Sequence, residues 1–476
     1  MDKNSFKEIF SEFFGMKPTE EQTQLLDKLT EFVFKKDSGL LFLLKGYAGT
    51  GKTSMLGALV KTLKESRVRS KLMAPTGRAA KVLGLKSNAP ASTIHKVIYR
   101  RSMGTDGQYK SSLTPNLHKD TLFIVDEASM IGDYTMNKDG SISGNNLLED
   151  LIEFVYSGKD CKMIFLGDEG QLPPVGSDYS PALSKDYLKE NFIRLDIDEM
   201  NLKQVVRQAE GSSILMNATY LRSAEEYTFP KFTLQKGGDL IRLPGDEIQD
   251  VLDQSMTNLG PEETIVVTRS NKRANLFNNH IRARILWYEE ELCSGELLMA
   301  VKNNYYWLDD DSSMGFIANG EMMIVKRYLK TEELYGFRFA KVIVKFVDYP
   351  FEPEKELMLL IDTLQSEGPS LNREDAKRLF FAIEEDYMDE KNKKKRYEKI
   401  RRDPYFNALQ VKYAYAVTCH KSQGGQWTNV FIDQGYLTDE MLDASYFRWL
   451  YTALTRATEK AYFINFKPEF FEDEED

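Results

Sequence analysis

The sequence predicts an α/β protein with two parallel β-sheets. Short apolar segments alternate with segments of helical pattern along most of the 476 residues, as in folds built from β-α-β units. Four early apolar segments each end in a polar loop, and such loops gather at one edge of a parallel sheet. The predicted strands are residues 40–44, 71–74, 122–125 and 163–166 in the first sheet, and 264–267, 411–417, 429–432 and 461–464 in the second.

Length and composition limit the class of protein. The length predicts two to four domains, and 42 % hydrophobic with 29 % charged residues is typical of a soluble protein. The chain shows no bilayer-length apolar stretch, and its first residues lack a signal-peptide pattern. Its three cysteines (Cys161, Cys293 and Cys419) lack metal-ligand spacing, which argues against a disulfide framework or a zinc site. We therefore expect a cytoplasmic protein, nucleoid-associated if its source is bacterial or phage.

The net charge of −10 does not predict a nucleic-acid partner. It does not exclude one either, because a basic groove can coexist with an acidic exterior. Residues 472–476 are all acidic. We expect them to form a solvated, disordered tail, with protein docking as the alternative.

The glycine-rich run Gly46-Tyr47-Ala48-Gly49-Thr50-Gly51-Lys52-Thr53 fits the phosphate-binding pattern G-x-x-x-x-G-K-[ST] at every required position. It follows the apolar segment 40–44 and precedes a helical pattern over 54–64. Backbone N–H groups and the positive end of the helix dipole would face a triphosphate. This context disfavours the alternative of a turn that binds nothing. Lys52 would reach the β- and γ-phosphates, and the Thr53 hydroxyl would hold Mg²⁺. The predicted nucleotide contacts are Gly46, Ala48, Gly49, Thr50, Gly51, Lys52 and Thr53.

Two acids end the apolar segment 122–125. A nucleotide hydrolase needs one carboxylate to hold Mg²⁺ and another to deprotonate the attacking water. Asp126 fits the first role and Glu127 the second. A strand that ends in Asp-Glu is weak evidence alone, but it becomes strong downstream of a phosphate loop.

The loop at residues 167–175 contains Gln171, whose neutral amide could sense a γ-phosphate without adding charge. The alternative is a turn stiffened by Pro173 and Pro174, and both interpretations can hold. Arg207 and Arg456 lie far along the chain, and a guanidinium can stabilise charge that develops during phosphoryl transfer. On spacing alone, either arginine could instead form a surface salt bridge.

Gln22 has two interpretations. Thr19-Glu20-Glu21-Gln22 is a capping box, in which Gln22 bonds back to the start of a helix. A glutamine there could instead contact an adenine edge.

Three segments combine small donors with Lys, Arg or His, which suits contacts to a nucleic-acid backbone. They are residues 75–81, 92–96 and 416–425. A histidine in such a segment is, by itself, more often structural. The residues predicted to contact nucleic acid are Pro75, Thr76, Arg78, Thr93, His95, Thr418, His420, Lys421 and Ser422.

Two inserts interrupt the α/β pattern. Residues 100–119 predict a β-hairpin around Asp106-Gly107, with a disordered loop as the alternative. Residues 295–347 alternate in polarity between turn signals, which indicates a small antiparallel β insert. Residues 371–402 look helical and end in a basic stretch that is either a solvated helix face or a track for DNA phosphates.

The order of these motifs resembles that of superfamily 1 helicases, and most closely the RecD/Dda-like subgroup that moves 5′→3′ (superfamily 1B). In family terms, Gln22 resembles the adenine-reading glutamine, residues 46–53 motif I, and 126–130 motif II. Residues 74–81, 92–95 and 167–174 resemble motifs Ia, Ib and III. Arg207 lies in a motif IV-like segment. Residues 418–424, whose Gly424 is assigned to the nucleotide, resemble motif V, and residues 450–456 resemble motif VI.

This resemblance implies two RecA-like P-loop domains with ATP between them and single-stranded DNA across their top. It implies a β-hairpin insert in the first domain, with Tyr109 as its aromatic tip, and an SH3-like β insert in the second. The expected domains are 1–200 with the hairpin at 100–119, then 201–290 with 405–476, and the SH3-like insert with its helical extension at 291–404.

The resemblance also implies an ATP-dependent DNA helicase or translocase that uses ATP and Mg²⁺. Its expected partners are single-stranded DNA, single-/double-strand junctions, and a single-strand-binding protein or replication and repair proteins. We expect a monomer. One alternative is a subunit of a recombination nuclease complex, but the compact size and short N-terminal extension favour a free-standing enzyme. Another is an ATP-switched binding module, which would not need the complete hydrolytic set. The residues alone do not distinguish DNA from RNA.

Overall fold

The computed structural model of the chain describes residues 2–103, 109–133, 135–136, 142–143, 146–206, 211–224, 228–309, 312, 314–368 and 370–472. For residues 101–103, 109–111, 135–136 and 142–143 it describes the backbone alone. The predictions for Arg207, for the side chain of Tyr109 and for the tail residues 473–476 lie outside the described residues.

The first lobe is an α/β unit that ends at residue 202. In chain order its elements are α1 (Lys3–Phe14), α2 (Glu20–Phe34), β1 (Leu40–Gly46), α3 (Lys52–Glu65), β2 (Arg69–Ala74), α4 (Gly77–Ser87), β3 (Ala91–Thr93), α5 (Ile94–Ile98), β4 (Tyr99–Met103), β5 (Tyr109–Leu113), β6 (Thr121–Val125), β7 (Thr135–Met136), β8 (Ile142–Ser143), α6 (Leu147–Ser157), β9 (Lys162–Gly167), α7 (Lys185–Asn191) and β10 (Asp196–Leu202).

Six of these strands form one parallel sheet in the order β10-β1-β9-β6-β2-β3. Strand β1 is apolar on both faces, because alternate residues point to opposite sides of a strand. Phe42 packs into the cluster that includes Phe10 and Phe32, whereas Leu41 and Leu43 pack into the cluster on the opposite face. The four strands predicted for this sheet are confirmed as β1, β2, β6 and β9.

The strand order brings the predicted nucleotide loops together. Strand β9 lies between β1 and β6, so the loops that follow these three strands are neighbours at one edge. They are the phosphate loop (residues 46–53), the acid pair Asp126 and Glu127, and the loop at 167–175. The hairpin strands β4 and β5 pair antiparallel outside this sheet.

The second lobe and a β-barrel follow. The remaining elements are α8 (Ser213–Ser223), β11 (Leu240–Leu243), α9 (Ile248–Leu259), β12 (Thr264–Thr268), α10 (Asn271–Arg284), β13 (Leu297–Ala300), β14 (Met322–Leu334), β15 (Phe337–Phe346), β16 (Lys355–Leu360), α11 (Arg373–Glu385), α12 (Lys393–Ile400), β17 (Leu409–Tyr413), β18 (Ala416–Thr418), α13 (Cys419–Ser422), β19 (Trp427–Asp433), α14 (Ala444–Leu454) and β20 (Ala457–Ile464).

The second lobe has a parallel sheet in the order β11-β20-β19-β12-β18. The prediction of one strand over residues 411–417 is wrong. That run is divided between β17, which belongs to the barrel, and β18, which belongs to this sheet. The Tyr415 carbonyl between them accepts the Val266 N–H, so the chain passes directly from one sheet to the other.

The barrel, residues 297–413, interrupts the second lobe. Strands β13 to β17 close into a barrel in which only β16 and β17 pair parallel. The segment predicted to be helical forms α11 and α12. Leu379, Phe380 and Ile383 of α11 pack with Phe337 and Phe339 of β15, so α11 completes an apolar cluster on the barrel.

No helix within the described ranges is both long enough and apolar enough to cross a membrane.

A buried ion pair joins the barrel to the second lobe. Arg282 of α10 donates from Nε and Nη2 to the two carboxylate oxygens of Glu296, each at 2.9 Å. The Tyr415 hydroxyl also donates to Glu296, at 2.9 Å. Both charged side chains are buried.

We expect Glu296→Gln to destabilise the protein by about 3 kcal/mol, because it leaves a buried guanidinium without its counter-charge. Urea unfolding followed by tryptophan fluorescence measures the change. Glu356→Gln is the matched control, since Glu356 pairs with Lys341 at 2.5 Å on the exposed barrel surface, and its loss should cost under about 1 kcal/mol. Equal effects of the two substitutions would contradict the assignment.

Candidate nucleotide and nucleic-acid site

The phosphate loop has the backbone that its glycines predict. Gly49 and Gly51 have φ of 76° and 82°, in the left-handed region that disfavours side chains. Gly51 is the residue before α3, and it provides no side-chain cap for the helix. Gly51 therefore does not cap the first-turn N–H groups of α3. An anion site requires such N–H groups to be without a side-chain cap.

Lys52 lies within the loop that precedes it. Its ammonium donates to the carbonyls of Gly46 and Tyr47, the latter at 2.8 Å, and lies 4.0 Å from Oδ2 of Asp168. Thr50 is buried, and its hydroxyl donates to the Tyr47 carbonyl at 2.8 Å. These bonds keep the loop compact. Thr53 follows Lys52 in the first turn of α3 and is partly exposed.

Gln22 combines a capping role with a contact to the phosphate loop. The capping box with Thr19 is complete, since each residue's side chain accepts the other's backbone N–H. The Gln22 Nε2 also donates to the Thr50 carbonyl at 3.1 Å. A Cβ on Gly51 would lie only 2.5 Å from that Nε2. The Gln22 side chain therefore leaves no space for a side chain at residue 51. The adenine contact remains a prediction.

The acid pair follows β6. Glu127 has φ of 51°, unusual for a side-chain-bearing residue, and its N–H donates to Oδ1 of Asp126 at 2.9 Å. Burial raises the pKa of the Asp126 carboxyl. Burial, and then the charge of Asp126, raise the pKa of Glu127 to about 7, while Arg456 and Lys52 act in the opposite direction. The pair thus lies in the field of one cation from each lobe.

The loop after β9 contributes two buried polar side chains. Gln171 is 7 % exposed, and among the described residues its Oε1 has no hydrogen-bond partner. Asp168 is 1 % exposed and accepts the Gly170 N–H at 2.9 Å. A buried amide oxygen without a partner needs an explanation, which makes Gln171 a candidate to contact a ligand group.

Arg456 lies in the second lobe, just after α14, and is 5 % exposed. Its guanidinium donates to the carbonyls of Thr452 at 2.9 Å and Gly425 at 3.2 Å, and to the Thr455 hydroxyl at 3.1 Å. The surface-salt-bridge alternative is therefore wrong for Arg456, which is buried. For Arg207 the structure describes only its predecessor Val206, whose N–H donates to the Gly49 carbonyl at 3.0 Å.

Helix α14 of the second lobe hydrogen-bonds to the loops of the first. The Tyr451 hydroxyl accepts the Ala48 N–H at 2.8 Å and donates to Asp168 at 2.7 Å. The Thr452 hydroxyl accepts the Leu172 N–H at 2.8 Å. Gln423 donates to the Leu172 carbonyl at 2.9 Å. Four polar contacts therefore join the lobes beside the phosphate loop.

A cation–π contact adds to this junction. The Arg222 guanidinium of α8 lies 3.9 Å from the centre of the Tyr47 ring in the phosphate loop.

The first-lobe residues predicted to contact nucleic acid follow β2 and β3, at the same edge of the sheet. The Thr76 hydroxyl accepts the Ala79 N–H at 3.2 Å and caps α4. Thr93 caps α5 in the same way, and His95 lies in that helix with its ring 5.6 Å from that of Tyr99. Pro75 and Thr76 are partly exposed, whereas Thr93 is buried.

Arg78 is enclosed between lobes, which the sequence did not indicate. Its guanidinium lies 4.1 Å from the Trp427 ring centre and donates to Met322 Sδ at 3.0 Å. Lys81, one turn on, pairs with Asp348 of the barrel at 3.2 Å. Burial lowers the pKa of Arg78 to about 10 and that of Lys81 to about 8, and raises the pKa of the nearby Glu321 to about 7.

In the second lobe, the predicted residues lie in and around α13. Thr418 ends β18, His420 is exposed and Lys421 is partly exposed. Ser422 is instead buried, and its hydroxyl donates to the Cys419 carbonyl at 2.8 Å. His420 also lines a cavity of about 330 Å³ with Leu172 and Trp449.

Gly424 has φ of 74°, and a Cβ there would lie 3.0 Å from that of Ala79 in α4. This close approach of the two lobes explains why residue 424 is a glycine. The assignment of Gly424 to the nucleotide remains a prediction.

Sequence reasoning assigned no role to Tyr451, Thr452, Gln423 or Asp168. All four lie inside segments in which the sequence predicts other functional residues. The hydrogen-bond partner lies 280 residues away in sequence for Thr452, 283 for the Tyr451–Asp168 pair and 251 for Gln423. A local sequence pattern carries no information about contacts between residues so far apart in the chain.

Two family models match the chain. Residues 18–236 match the AAA domain, and residues 413–464 match the UvrD-like helicase C-terminal domain. The ATP-dependent RecD2 DNA helicase of Deinococcus radiodurans is 30 % identical over 207 residues, which is 44 % of this chain and 24 % of that protein. The ATP-dependent DNA helicase dda of Enterobacteria phage T4 is 24 % identical over 54 % of this chain and 55 % of its own length. These matches support a superfamily 1B helicase of the RecD/Dda/Pif1 type.

Coverage differs among the relatives that this chain matches. An uncharacterized protein of Acanthamoeba polyphaga mimivirus is 22 % identical over 93 % of this chain and 99 % of its own length. The chain spans about half of the phage T4 relative and about a quarter of the Deinococcus one.

The fold is that of solved Pif1 helicases. A crystal structure of Bacteroides Pif1 bound to ssDNA aligns with a TM-score of 0.50 and 16 % identity, over 96 % of this chain and 95 % of that one. The two parallel-sheet lobes are thus RecA-like domains, as expected.

The substitution Gly77→Ala tests the packing of α4 on the barrel, because two effects on the free energy of unfolding have opposite signs. A Cβ on Gly77 would lie 2.0 Å from the Ala318 Cβ. The lower entropy of alanine in the unfolded chain alone predicts that Gly77→Ala stabilises by about 0.4–1 kcal/mol. We expect it instead to destabilise by about 1–3 kcal/mol, because the barrel must shift.

Urea unfolding measures the sign. The rescue variant Gly77→Ala with Ala318→Gly removes the opposing methyl and should recover most of the loss. A stabilised Gly77→Ala single variant would show that α4 and the barrel do not pack this closely in solution.

Proposed function

We propose that the chain is an ATP-dependent DNA helicase or translocase that moves 5′→3′ on single-stranded DNA and separates duplex DNA. The observation that carries the proposal is the junction of the lobes. The phosphate loop and the acid pair of the first lobe lie in the field of Arg456 from the second, next to the hydrogen bonds of α14. The names of the Deinococcus and phage T4 relatives support DNA as the substrate.

The residues at the junction fit a nucleoside triphosphate with a divalent cation. The α3 start without a side-chain cap and the left-handed glycines suit phosphate oxygens, and the buried Gln171 Oε1 has no hydrogen-bond partner within the described part of the chain. The Thr53 hydroxyl and the Asp126 carboxylate are the hard oxygen donors that Mg²⁺ prefers. ATP supplies a phosphoanhydride bond whose cleavage releases the free energy for movement. Gln22 would contact its adenine.

Glu127 would act as the general base for the attacking water. Its carboxyl has the raised pKa that suits a base working near neutral pH. Arg456, with Arg207 as its proposed partner, would stabilise negative charge that develops on the transferred phosphoryl group. Lys52 would exchange its bonds to the Gly46 and Tyr47 carbonyls for phosphate oxygens.

Movement follows from a shift between two lobe arrangements. Ligand bonds that involve both lobes favour closure, and their loss after hydrolysis favours opening. Residues at the sheet edges of both lobes would hold the DNA backbone: Pro75, Thr76, Arg78, Thr93, His95, Thr418, His420, Lys421 and Ser422. In the present arrangement Arg78 and Ser422 are enclosed, so contact by them requires rearrangement. The hairpin with Tyr109 would lie at the duplex junction.

We further propose a monomer that acts on single-stranded DNA and junctions in the cytoplasm or nucleoid, alongside a single-strand-binding protein or replication and repair proteins. The lack of a heptad pattern supports the monomer, and the family supports these partners.

The deciding measurement is ATP-dependent unwinding of two matched partial duplexes, one with a 5′ and one with a 3′ single-stranded tail. We expect unwinding from the 5′ tail only, and its loss in Lys52→Ala, because the ammonium that holds the phosphates is gone. Unwinding from the 3′ tail alone would overturn the direction. No unwinding and no DNA-stimulated ATP hydrolysis would overturn the function.

A second measurement separates binding from chemistry. We expect Glu127→Gln to bind ATP normally but to hydrolyse it ~10²–10⁴-fold more slowly, because the base is lost. Single-turnover hydrolysis and equilibrium binding of a fluorescent ATP analogue report the two steps. Glu169→Gln is the control, since Glu169 is exposed and pairs with Lys45. A normal rate in Glu127→Gln would assign the base elsewhere.

A further inference from the structure

Tyr451 occupies an unusual place between the lobes. It belongs to α14 of the second lobe, yet its hydroxyl lies among the nucleotide loops of the first and is only 2 % exposed. The oxygen accepts the Ala48 N–H of the phosphate loop at 2.8 Å, and the O–H donates to Oδ2 of Asp168 at 2.7 Å. One hydroxyl thus satisfies a donor on one loop and an acceptor on another.

Asp168 connects this hydroxyl to the predicted phosphate-binding lysine. Its Oδ1 accepts the Gly170 N–H, and its Oδ2 lies 4.0 Å from the Lys52 ammonium. Tyr451 therefore fixes the carboxylate that faces Lys52, and it also fixes the first half of the phosphate loop. Burial, and then the charge of Asp168, raise the pKa of Tyr451 well above its usual value, so the hydroxyl keeps its proton to donate.

The next residue of α14 connects the same loops to the segment predicted to hold DNA. The Leu172 N–H is bound by Thr452, and the Leu172 carbonyl is bound by Gln423, which lies in the segment 418–424. A displacement of this segment or of α14 against the first lobe therefore changes the Tyr451 contacts.

We propose that Tyr451 is a positioning residue that makes ATP hydrolysis depend on the alignment of the two lobes, and hence on bound DNA. Its hydroxyl holds the phosphate loop and Asp168 in register only when α14 is docked. This inference rests on the proposed function and extends it by naming the group through which DNA binding reaches the phosphate loop.

Tyr451→Phe isolates the hydroxyl. The ring packs on Gly170, whose added Cβ would lie 3.0 Å from it, and phenylalanine keeps that packing. The substitution removes one buried donor and one acceptor and leaves Asp168 and the Ala48 N–H each without that partner.

Steady-state ATP hydrolysis is measured with and without saturating oligo(dT), together with KM for ATP and binding of labelled oligo(dT). We expect the ratio of stimulated to basal kcat to fall about tenfold in Tyr451→Phe. KM for ATP and the affinity for oligo(dT) should change little. Asp168→Asn should lower the ratio too, and the double variant should add little to either single change, because both act through one contact.

Tyr446→Phe is the matched control. Tyr446 is also a buried tyrosine of α14, but its hydroxyl faces Gln434 of its own lobe at 3.5 Å. We expect its ratio to match that of the unmodified protein.

Three outcomes would overturn the inference: an unchanged ratio in Tyr451→Phe, an equal fall in basal and stimulated rates, or an equal fall of the ratio in Tyr446→Phe. The second would indicate a purely local effect on the nucleotide site, and the third a packing defect of α14. The unmodified protein separates these failures from failure of the proposed function, since stimulation of its own ATP hydrolysis by oligo(dT) is measured in the same series.

Discussion

The hydrogen bonds between α14 and the loops at residues 46–53 and 168–172 hold the site together. They are buried, so separation of the lobes must either break them or admit water to them. A buried donor or acceptor that loses its partner costs about 1–3 kcal/mol, which is enough to change the populations of two lobe arrangements substantially. The same bonds set where Arg456 lies relative to the acid pair, because Arg456 follows α14 directly and is bound to its last turn.

The second junction, between α4 and the barrel, has a different character. Arg78 and Lys81 face Glu321 and Asp348 in a buried region, and burial shifts the pKa values of Arg78, Lys81 and Glu321 in the direction that favours their neutral forms. Among the described residues, Glu321 Oε1 and Asp348 Oδ2 also lack hydrogen-bond partners. Desolvation offsets much of the attraction in such a cluster, so it contributes little net stability.

Local pattern was sufficient for the parts of this molecule that are locally determined. The strands beside the phosphate loop are continuous apolar runs, and the loop, the acid pair and the Thr19 capping box each depend on residues close in sequence. The same reasoning failed for residues 411–417, because an apolar segment does not show that its two halves pair with strands of different sheets. Arg78 was predicted to contact nucleic acid, and nothing near it in sequence reveals that Trp427 and Met322 cover it. Tyr451 carries no charge and resembles any core tyrosine until its two distant partners are known.

The pKa of Glu127 depends on charges from both lobes, and so on how the lobes are aligned. Burial and the neighbouring Asp126 charge raise its pKa, whereas Arg456 of the second lobe and Lys52 of the first act to lower it. Lys52 moves with the first lobe, but Arg456 moves with α14. Withdrawal of α14 therefore removes the favourable Arg456 charge from the carboxylate, and this loss by itself acts to raise the pKa of Glu127. Docking of α14 has the reverse effect, and the same movement restores the Tyr451 bonds to Asp168 and Ala48. The proposed base and the phosphate loop therefore both depend on the position of a single helix.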